Sequence, residues 1–191
     1  LATRGSLDFA GGTAIHVNAG IAALAAVVVL GRRKGWPSEG HPPHSMPLVM
    51  IGTAILLFGW FGFNSGAGGL TDGVAIQAFA NTFLAAAAGG FAWALTERVK
   101  DGHFTNLGVA SGMVAGLVAI TPAAGFVSGM SPIWIGLAAG VVCAFAVGLK
   151  FSAGFDDSLD VVGVHMVGGL VGSLLIGLFA IAEVLAGGDP A

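Results

Sequence analysis

The chain has 191 residues, of which 55% are hydrophobic and only 9% carry a charge. Charged residues make up about a quarter of a typical soluble protein, so this composition excludes a typical soluble domain and favours a membrane protein. The net charge of −3 does not indicate a partner, because the placement of the charges matters more here than their sum. The single cysteine, Cys143, cannot form an internal disulfide, and we expect it to be a small buried hydrophobic residue.

Six apolar segments are long enough to cross a bilayer, which takes roughly 20 helical residues. A helix satisfies its own backbone hydrogen bonds inside lipid. The sequence therefore predicts an all-α polytopic membrane protein with six transmembrane helices. The predicted spans lie at 9–30, 46–64, 74–95, 107–127, 132–150 and 160–185.

Basic residues occur in alternate connectors. Connectors 31–45, 96–106 and 150–159 contain six of the seven Lys and Arg residues, and the other two connectors contain none. Cytoplasmic loops of membrane proteins carry the excess of basic residues, so we expect these three connectors in the cytoplasm and a multi-pass protein of the plasma membrane. The first span then runs from the outside to the inside, and Arg4 is the one basic residue on the outside.

Two short stretches place an aspartate before a histidine at the start of an apolar span. One leads from Asp8 to His16, and the other leads from Asp160 to His165. An ionisable side chain inside a span is costly and marks a candidate functional site. The alternative for each histidine alone is a core residue bonded to a backbone carbonyl. We interpret Asp160 as a helix N-cap, and Asp8 lies about 12 Å along a helix from His16, too far to bond it directly.

The two stretches predict an inverted repeat. His16 lies in the first span and His165 in the sixth, so the two helices run in opposite directions, as in repeats related by a pseudo-two-fold axis in the membrane plane. Such a repeat needs five helices in each half. Span 9–30 would then be the last helix of the first repeat, and 46–185 would be the second repeat. We therefore expect residues 1–191 to be a fragment of a longer transmembrane domain, cut at both ends.

Four stretches together resemble one family. The combination is far more specific than any one motif, and the similarity runs over essentially the whole chain. The stretches are Asp8-Phe9-Ala10-Gly11-Gly12-Thr13 leading to His16 and Asn18, Gly59-Trp60-Phe61-Gly62-Phe63-Asn64, Thr121-Pro122-Ala123, and Asp156-Asp157 through Asp160 to Gly163-Val164-His165. In these residues the chain resembles the ammonium transporter family (the Amt/Mep/Rh group), in its bacterial Amt branch. The family fold has eleven spans, and the resemblance implies that this chain corresponds to spans five to ten.

The resemblance implies a narrow hydrophobic pore lined by a twin-histidine pair, with His16 and His165 at those positions. Ammonium would be deprotonated at the outer mouth, and ammonia would pass through the pore. Phe63 would be one of two stacked phenylalanines at the outer mouth, and Trp60 would pack beside the histidines; ordinary interhelical packing is the alternative for Trp60. The family often has a serine that helps to bind ammonium where this chain has Ala67, so we expect weaker binding at the entrance.

Further supporting residues follow from spacing and from the resemblance. Leu56, Trp60 and Phe63 have the spacing i, i+4, i+7 and therefore share one helix face. Asn64 follows Phe63 in the same motif. Asp8 would be an acidic residue near the outer vestibule, where it acts as a cap and attracts cations.

The resemblance also implies partners. The family forms homotrimers in the lipid bilayer, and PII-type regulatory proteins often block it from the cytoplasmic side. Ammonium or ammonia would be the substrate. We expect no nucleic-acid partner, no cofactor, no bound metal and no enzymatic activity.

Two other functions remain open at this stage. One is an ammonium sensor of the same fold, and the other is a membrane redox protein in which His16 and His165 ligate haem. His41 and His44 fit a metal site by their spacing, but no further ligand lies nearby in the sequence. The alternative for these two residues and for His103 is a solvated loop histidine.

Overall fold

The computed structural model describes residues 5–69 and 73–180. These residues form seven helices, and five stretches among them are long and apolar enough to cross a membrane, α5 and α6 counting as one stretch. The predicted all-α fold class is therefore confirmed. The helices are α1 (Gly12–Leu30), α2 (Met46–Ala67), α3 (Gly73–Asp101), α4 (Asn106–Ile120), α5 (Ser131–Ala146), α6 (Leu149–Ala153) and α7 (Val162–Phe179).

The predicted fourth span, 107–127, is wrong at its end. Helix α4 has 15 residues and stops at Ile120. Pro122 has no amide hydrogen and cannot continue the helical ladder, and residues 121–126 form buried turns instead. Thr121 consequently lies at a helix end inside the bundle.

Helix α3 extends well past the predicted span 74–95 and ends at Asp101. The polar residues after position 95 do not interrupt a helix, and the first breaker is Gly102, whose φ of 79° is left-handed. The predicted connector 96–106 is therefore largely helical, and the segment between α3 and α4 shrinks to 102–105.

Two further predicted spans differ at their ends. The fifth, 132–150, is divided, because α5 ends at Ala146 and the short α6 follows it. The sixth, 160–185, begins only at Val162. Residues 181–185 lie outside the described residues.

Helices α3, α4 and α5 pack closely through small residues. A Cβ atom at Gly116 of α4 would lie 2.1 Å from the carbonyl oxygen of Ala85, and one at Gly140 of α5 would lie 2.4 Å from the carbonyl oxygen of Gly89. Small residues let the backbones of membrane helices approach each other. These three helices form a scaffold, and α7 packs on α4 in the same way, since a Cβ atom at Gly172 would lie 2.1 Å from a carbonyl oxygen of α4.

The end of the bundle that carries Arg33 and Lys150 is called the basic end. The backbone N–H and guanidinium of Arg33 donate to Asp156, with a shortest N–O distance of 2.7 Å. This hydrogen bond from Arg33 lowers the pKa of Asp156 to about 2. Lys150 pairs with Asp160 at 2.5 Å; burial raises the pKa of Asp160, and Lys150 opposes that shift. The pair of Arg33 and Asp156 thereby joins the segment after α1 to the segment before α7. The other basic residue considered above, Arg4, lies outside the described residues.

Candidate functional site

Helices α1 and α7 cross at two glycines. A Cβ atom at Gly20 would lie 2.3 Å from Cβ of Met166, and one at Gly169 would lie 3.0 Å from Cγ2 of Val17. Position 20 meets 166 and position 17 meets 169, so the two helices run antiparallel at the crossing, as the sequence predicts. Each histidine lies one residue away from a contact position, and the crossing brings the two rings together.

Corresponding residues near the beginnings of the two helices are 149 positions apart, which is the spacing of the two histidines. Each helix begins with π-helical turns, Gly12–Val17 and Val162–Met166. Such turns are rare and occur frequently at functional sites. Each is preceded by a residue with a left-handed backbone, Gly11 at φ 85° and Asp160 at φ 56°. The two histidines therefore lie on the same local backbone feature.

Two aspartates with the same offset, Asp8 and Asp157, cap these segments. Asp8 accepts hydrogen bonds from the backbone N–H groups of Thr13 and Ala14, at 3.0 and 3.1 Å. Asp157 accepts from the backbone N–H groups of residues 161–163, at 3.0, 2.7 and 3.4 Å. The first N–H groups of a helix have no partner within it, so each carboxylate fixes the start of one histidine helix.

The prediction that Asp160 is the N-cap of its helix is wrong. An N-cap residue normally has an extended backbone, whereas Asp160 is left-handed and its carboxylate turns to Lys150. Asp157 makes the capping hydrogen bonds in its place. Asp8, in contrast, makes the capping hydrogen bonds at the start of α1 itself.

The rings of His16 and His165 face each other. Their Nδ1 atoms are 3.4 Å apart, and their ring centroids are 5.4 Å apart. His16 is only 5% exposed, while His165 is half-buried. A neutral imidazole has one N–H donor and one acceptor nitrogen, so a hydrogen bond between the two Nδ1 atoms requires a proton on one of them. The arrangement allows a proton to pass from one ring to the other.

Thr121 joins three groups beside His16. Its hydroxyl donates to the carbonyl oxygen of Leu117 at 2.7 Å and accepts from Nε1 of Trp60 at 2.9 Å. The same oxygen lies 3.3 Å from Nε2 of His16. Thr121 is completely buried. The two nitrogens of His16 therefore have different partners, Thr121 on one side and His165 on the other.

The aromatic residues predicted for the pore also lie against His16. Trp60 stacks on its ring at a centroid distance of 5.1 Å, and Phe63 lies at 6.2 Å. Trp60 is buried, whereas Phe63 is 43% exposed. The third residue of this helix face, Leu56, lines a cavity together with His165. One face of α2 thus contacts His16 and lines the cavity next to His165.

The non-helical segment 121–127 is held by hydrogen bonds to its carbonyl groups. The backbone N–H groups of residues 9 and 10 donate to two of them, at 2.9 and 3.1 Å. Asn81 and Gln77 of α3 donate to two others, at 2.6 to 2.8 Å. Irregular backbone at membrane depth is tolerated only where protein groups satisfy it. These bonds therefore fix the position of Thr121 beside the histidines.

Two adjacent cavities lie between His165 and the basic end. The first has a volume of about 340 Å³ and is lined by Leu56 and His165, among mostly apolar side chains. The second has a volume of about 670 Å³ and is lined partly by Lys150 and Asp160. Both cavities are lined by Val49, Leu107, Ser111 and Leu159. The two cavities therefore adjoin, and together they extend from His165 to the basic end.

The remaining predicted residues lie near the other end of α2. Asn64 is completely buried, and its side-chain N–H donates to Thr82 at 2.9 Å. Within the described part of the chain, Oδ1 of Asn64 and the buried hydroxyl oxygen of Ser65 have no hydrogen-bond partner. Ala67 is exposed at the end of the helix. The structure thus places Asn64 against α3 and Ala67 at the exposed end of α2.

The geometry also bears on the metal and haem alternatives. Across residues 5–69 and 73–180, no three His, Cys, Asp or Glu side chains form a group that could hold a metal ion, so no third ligand joins His41 and His44 there. The Nδ1 atoms of His16 and His165 lie at hydrogen-bond distance from each other. This distance favours a hydrogen-bonded pair over ligation of a haem iron between the two rings.

The sequence alone did not assign a role to Asp157 or Thr121. A signal for Asp157 was present, since it precedes His165 by the same number of residues as Asp8 precedes His16. The signal for Thr121 was weaker: it is a polar residue directly before a proline at the end of an apolar run.

Comparison with known proteins connects this site to a family. The model of the Ammonium Transporter Family matches residues 1–189. An ammonium transporter of Mycobacterium tuberculosis is 58% identical over 178 residues, which are 93% of this chain and 37% of that protein.

Solved structures agree with this match. The crystal structure of Candida albicans Mep2 superimposes with a TM-score of 0.88 at 42% identity, over 96% of this chain and 41% of that one. A structure of a Sensor Amt Protein gives a TM-score of 0.85 at 31% identity, over 93% and 45% of the two chains. This chain spans less than half the length of these relatives. It belongs to the ammonium transporter family.

Proposed function

We propose that the full-length protein containing this chain transports ammonium across the membrane, with ammonium deprotonated at the outer mouth and ammonia passing through the pore. The observation that carries the proposal is the pair of imidazoles, His16 and His165, whose Nδ1 atoms face each other at 3.4 Å between apolar helices. Membership of the ammonium transporter family supports the choice of substrate.

Electrostatics favours ammonia over ammonium as the species inside the pore. A charged side chain at the bilayer centre costs at least ~2.5–3.5 kcal/mol on insertion scales, and a bare ammonium ion faces a comparable cost. Neutral ammonia avoids most of it. A histidine pair can accept a proton, donate one and pass one along, because imidazole changes charge near neutral pH. The proton therefore travels through the histidine pair on a path separate from that of ammonia.

The outer mouth has groups suited to attracting a cation before it loses its proton. The faces of aromatic rings attract cations by ~0.5–2 kcal/mol, and Phe63 is partly exposed beside His16. We assign Phe63 to the gate at the mouth and Trp60 and Leu56 to the pore wall. Asp8 adds a negative charge at the start of α1. Because Ala67 lacks a hydroxyl, we expect weaker binding at the entrance than in relatives with serine there.

The assembly around the pore is also part of the proposal. The alternation of basic connectors supports a plasma-membrane protein with its basic end in the cytoplasm. We assign the basic end to the site where a PII-type regulator would bind, and we expect a homotrimer. The common 149-residue offset supports an inverted repeat in which 9–30 ends the first half and 46–185 forms the second.

An ammonium sensor is the second candidate function, favoured by the likeness to the Sensor Amt Protein. A sensor of the same fold would bind ammonium without carrying it at a comparable rate. Transport and binding must therefore be measured on the same preparation.

The test is electrical. The full-length protein is reconstituted in liposomes, and the current is recorded after an ammonium gradient and after a potassium gradient of equal size. We expect an ammonium current far above that of protein-free liposomes and no potassium current. Binding of ammonium without current supports the sensor instead, and a potassium current equal to the ammonium current contradicts a pore that conducts ammonia.

A further inference from the structure

We propose that Thr121 is a positioning residue that keeps the proton of neutral His16 on Nε2, so that the histidine pair exchanges protons through Nε2 of His165. The inference rests on the proposed function, in which the pair passes protons during transport. It assigns different roles to two rings of the same type, because His16 is anchored by Thr121 and His165 exchanges the proton.

The hydrogen bonds of Thr121 carry the argument. A hydroxyl has one donor proton and two acceptor lone pairs. The proton goes to the carbonyl oxygen of Leu117, which lies at 2.7 Å. The Nε1–H of Trp60 can only donate, and at 2.9 Å it uses one lone pair. The lone pair that remains faces Nε2 of His16 at 3.3 Å, so the proton of that contact comes from His16.

Burial makes this assignment strict. Thr121 is completely buried and His16 is 5% exposed. With an unprotonated Nε2, His16 would either direct a lone pair at the lone pair of Thr121 or take the hydroxyl proton away from the carbonyl oxygen of Leu117. Buried polar atoms that lack a partner of opposite type are costly. The hydrogen-bonded carbonyl groups of segment 121–127 hold Thr121 in place, so it cannot turn away easily.

The tautomer of His165 follows from that of His16. With its proton on Nε2, His16 presents an acceptor at Nδ1, and His165 must donate its Nδ1–H across the 3.4 Å contact. Nε2 of His165 is then unprotonated, and it has no hydrogen-bond partner among the described residues. His165 lines the cavity of about 340 Å³ that leads to the basic end. The accessible base of the pair therefore belongs to the ring on the basic-end cavity.

Proton transfer through the pair then has a defined order. When Nε2 of His165 accepts a proton, its Nδ1 proton moves to Nδ1 of His16. His165 is neutral again, and the positive charge rests on His16, whose Nε2–H is still bonded to Thr121. The release of a proton from Nε2 of His165 into the cavity reverses these two transfers, so a proton that reaches this nitrogen from the outer side leaves on the side of the basic end.

Three substitutions in the full-length protein separate this role from simple packing. Thr121→Val keeps the shape and removes the hydroxyl, Thr121→Ser keeps the hydroxyl, and Trp60→Phe removes the indole N–H together with part of the ring that stacks on His16. The protein is labelled with ¹⁵N-histidine, and NMR distinguishes nitrogens that carry a proton from those that do not. The signals of His16 are identified by their loss in His16→Ala.

We expect a protonated Nε2 on His16 in the wild type, in Thr121→Ser and in Trp60→Phe, and a shift of the proton toward Nδ1 in Thr121→Val. The ammonium current falls about tenfold in Thr121→Val, the size expected for one strong hydrogen bond, and stays within about threefold in Thr121→Ser. An unchanged tautomer in Thr121→Val overturns the proposal.

The wild-type spectrum decides the matter even where Thr121→Val does not fold, because a proton on Nδ1 of neutral His16 contradicts the proposal directly. A wild-type protein that gives no ammonium current overturns the proposed function, whereas the wrong tautomer overturns only this inference. The two failures are therefore distinguishable.

Discussion

Segments 8–20 and 157–169 share one backbone design in two different environments. Each has a capping aspartate, a left-handed residue, a histidine and a glycine at the helix crossing, all 149 positions apart, and each has π-helical turns around the histidine. This design places the two histidine rings opposite each other. It does not by itself distinguish the rings.

The environments provide the distinction. Asp8 is half-buried, whereas Asp157 is only 3% exposed. His16 is buried and contacts Thr121, while His165 is half-buried and lines a cavity that leads to the basic end. The backbone that segments 8–20 and 157–169 share brings the two rings together. Neighbours that the two segments do not share, Thr121 beside His16 and the cavity beside His165, determine which ring is anchored and which one can exchange protons.

Removal of either ring should have the largest effect. His16→Ala and His165→Ala in the full-length protein should each lower the ammonium current by about 100-fold or more, because a positioned acid–base group typically contributes that much. The measurement is the liposome current at equal protein density. His103→Ala is the matched control, since this exposed ring bonds only a nearby carbonyl group among the described residues, and it should keep the wild-type current. A wild-type current in His16→Ala or in His165→Ala would mean that the missing ring is not needed for transport.

The two capping aspartates should differ in their contribution to stability. Asp157→Ala leaves three N–H groups without their carboxylate partner, two of them buried, and should cost about 2–4 kcal/mol. Asp8→Ala removes the partner of only two N–H groups, which are less buried, and should cost about 1 kcal/mol. Thermal unfolding of the full-length protein in detergent measures both, with the exposed Asp101→Ala as a control. Equal losses of stability in Asp8→Ala and Asp157→Ala would show that the burial of a cap does not determine its contribution.

The crossing glycines should also respond unequally. A Cβ atom at Gly20 would lie 2.6 Å from the backbone nitrogen of Met166, so Gly20→Ala must move a helix and should cost about 1–3 kcal/mol. At Gly169 the nearest atom belongs to the Val17 side chain at 3.0 Å, so Gly169→Ala should cost less than about 1 kcal/mol. Gly177→Ala has open space around it and serves as the control. Melting temperatures test the order, and a larger loss at Gly169 would contradict it.

The smallest effect concerns the ion pair that joins the ends of the two histidine helices. Arg33 lowers the pKa of Asp156 to about 2, from an ordinary value of 3.8. A carboxylate with a lowered pKa in the folded state stabilises it above the unfolded pKa, and this stabilisation disappears as the pH falls toward the folded pKa. Arg33→Ala should therefore lower the melting temperature slightly at about pH 6 and have almost no effect at about pH 2.

Arg32→Ala is the matched control for this pH dependence. Its Nε donates to the carbonyl oxygen of Gly154, which does not titrate. A loss in Arg33→Ala that is the same at both pH values would mean that the pair with Asp156 is not its cause.

The fold class and the pairing of the histidines could be predicted, because each depends on a pattern along the chain. Apolar length and alternating basic connectors indicated the helices, and the even position of the second histidine span indicated an antiparallel pair. The end of α4 could not be predicted from hydropathy. Segment 121–127 is as apolar as a span, but Pro122 breaks the helix, and partners distant in sequence satisfy its carbonyl groups.

The capping residue of α7 shows the same limit at one position. The sequence has Asp156, Asp157 and Asp160 before His165, and composition does not choose among them. The choice depends on Arg33, which binds the first, and on Lys150, which binds the last. The contact of Thr121 with His16 could not be predicted for a similar reason, since the two residues are 105 positions apart along the chain.

The central claim is that His16 and His165 work as one unit, and a double-mutant cycle tests it most directly. The ammonium current of the full-length protein is measured in the wild type, in His16→Ala, in His165→Ala and in the double variant. Residues that act as a unit are strongly non-additive, so the double variant should lose no more current than either single variant. A loss in the double variant equal to the product of the two single losses would show that the rings act independently, and it would contradict the account.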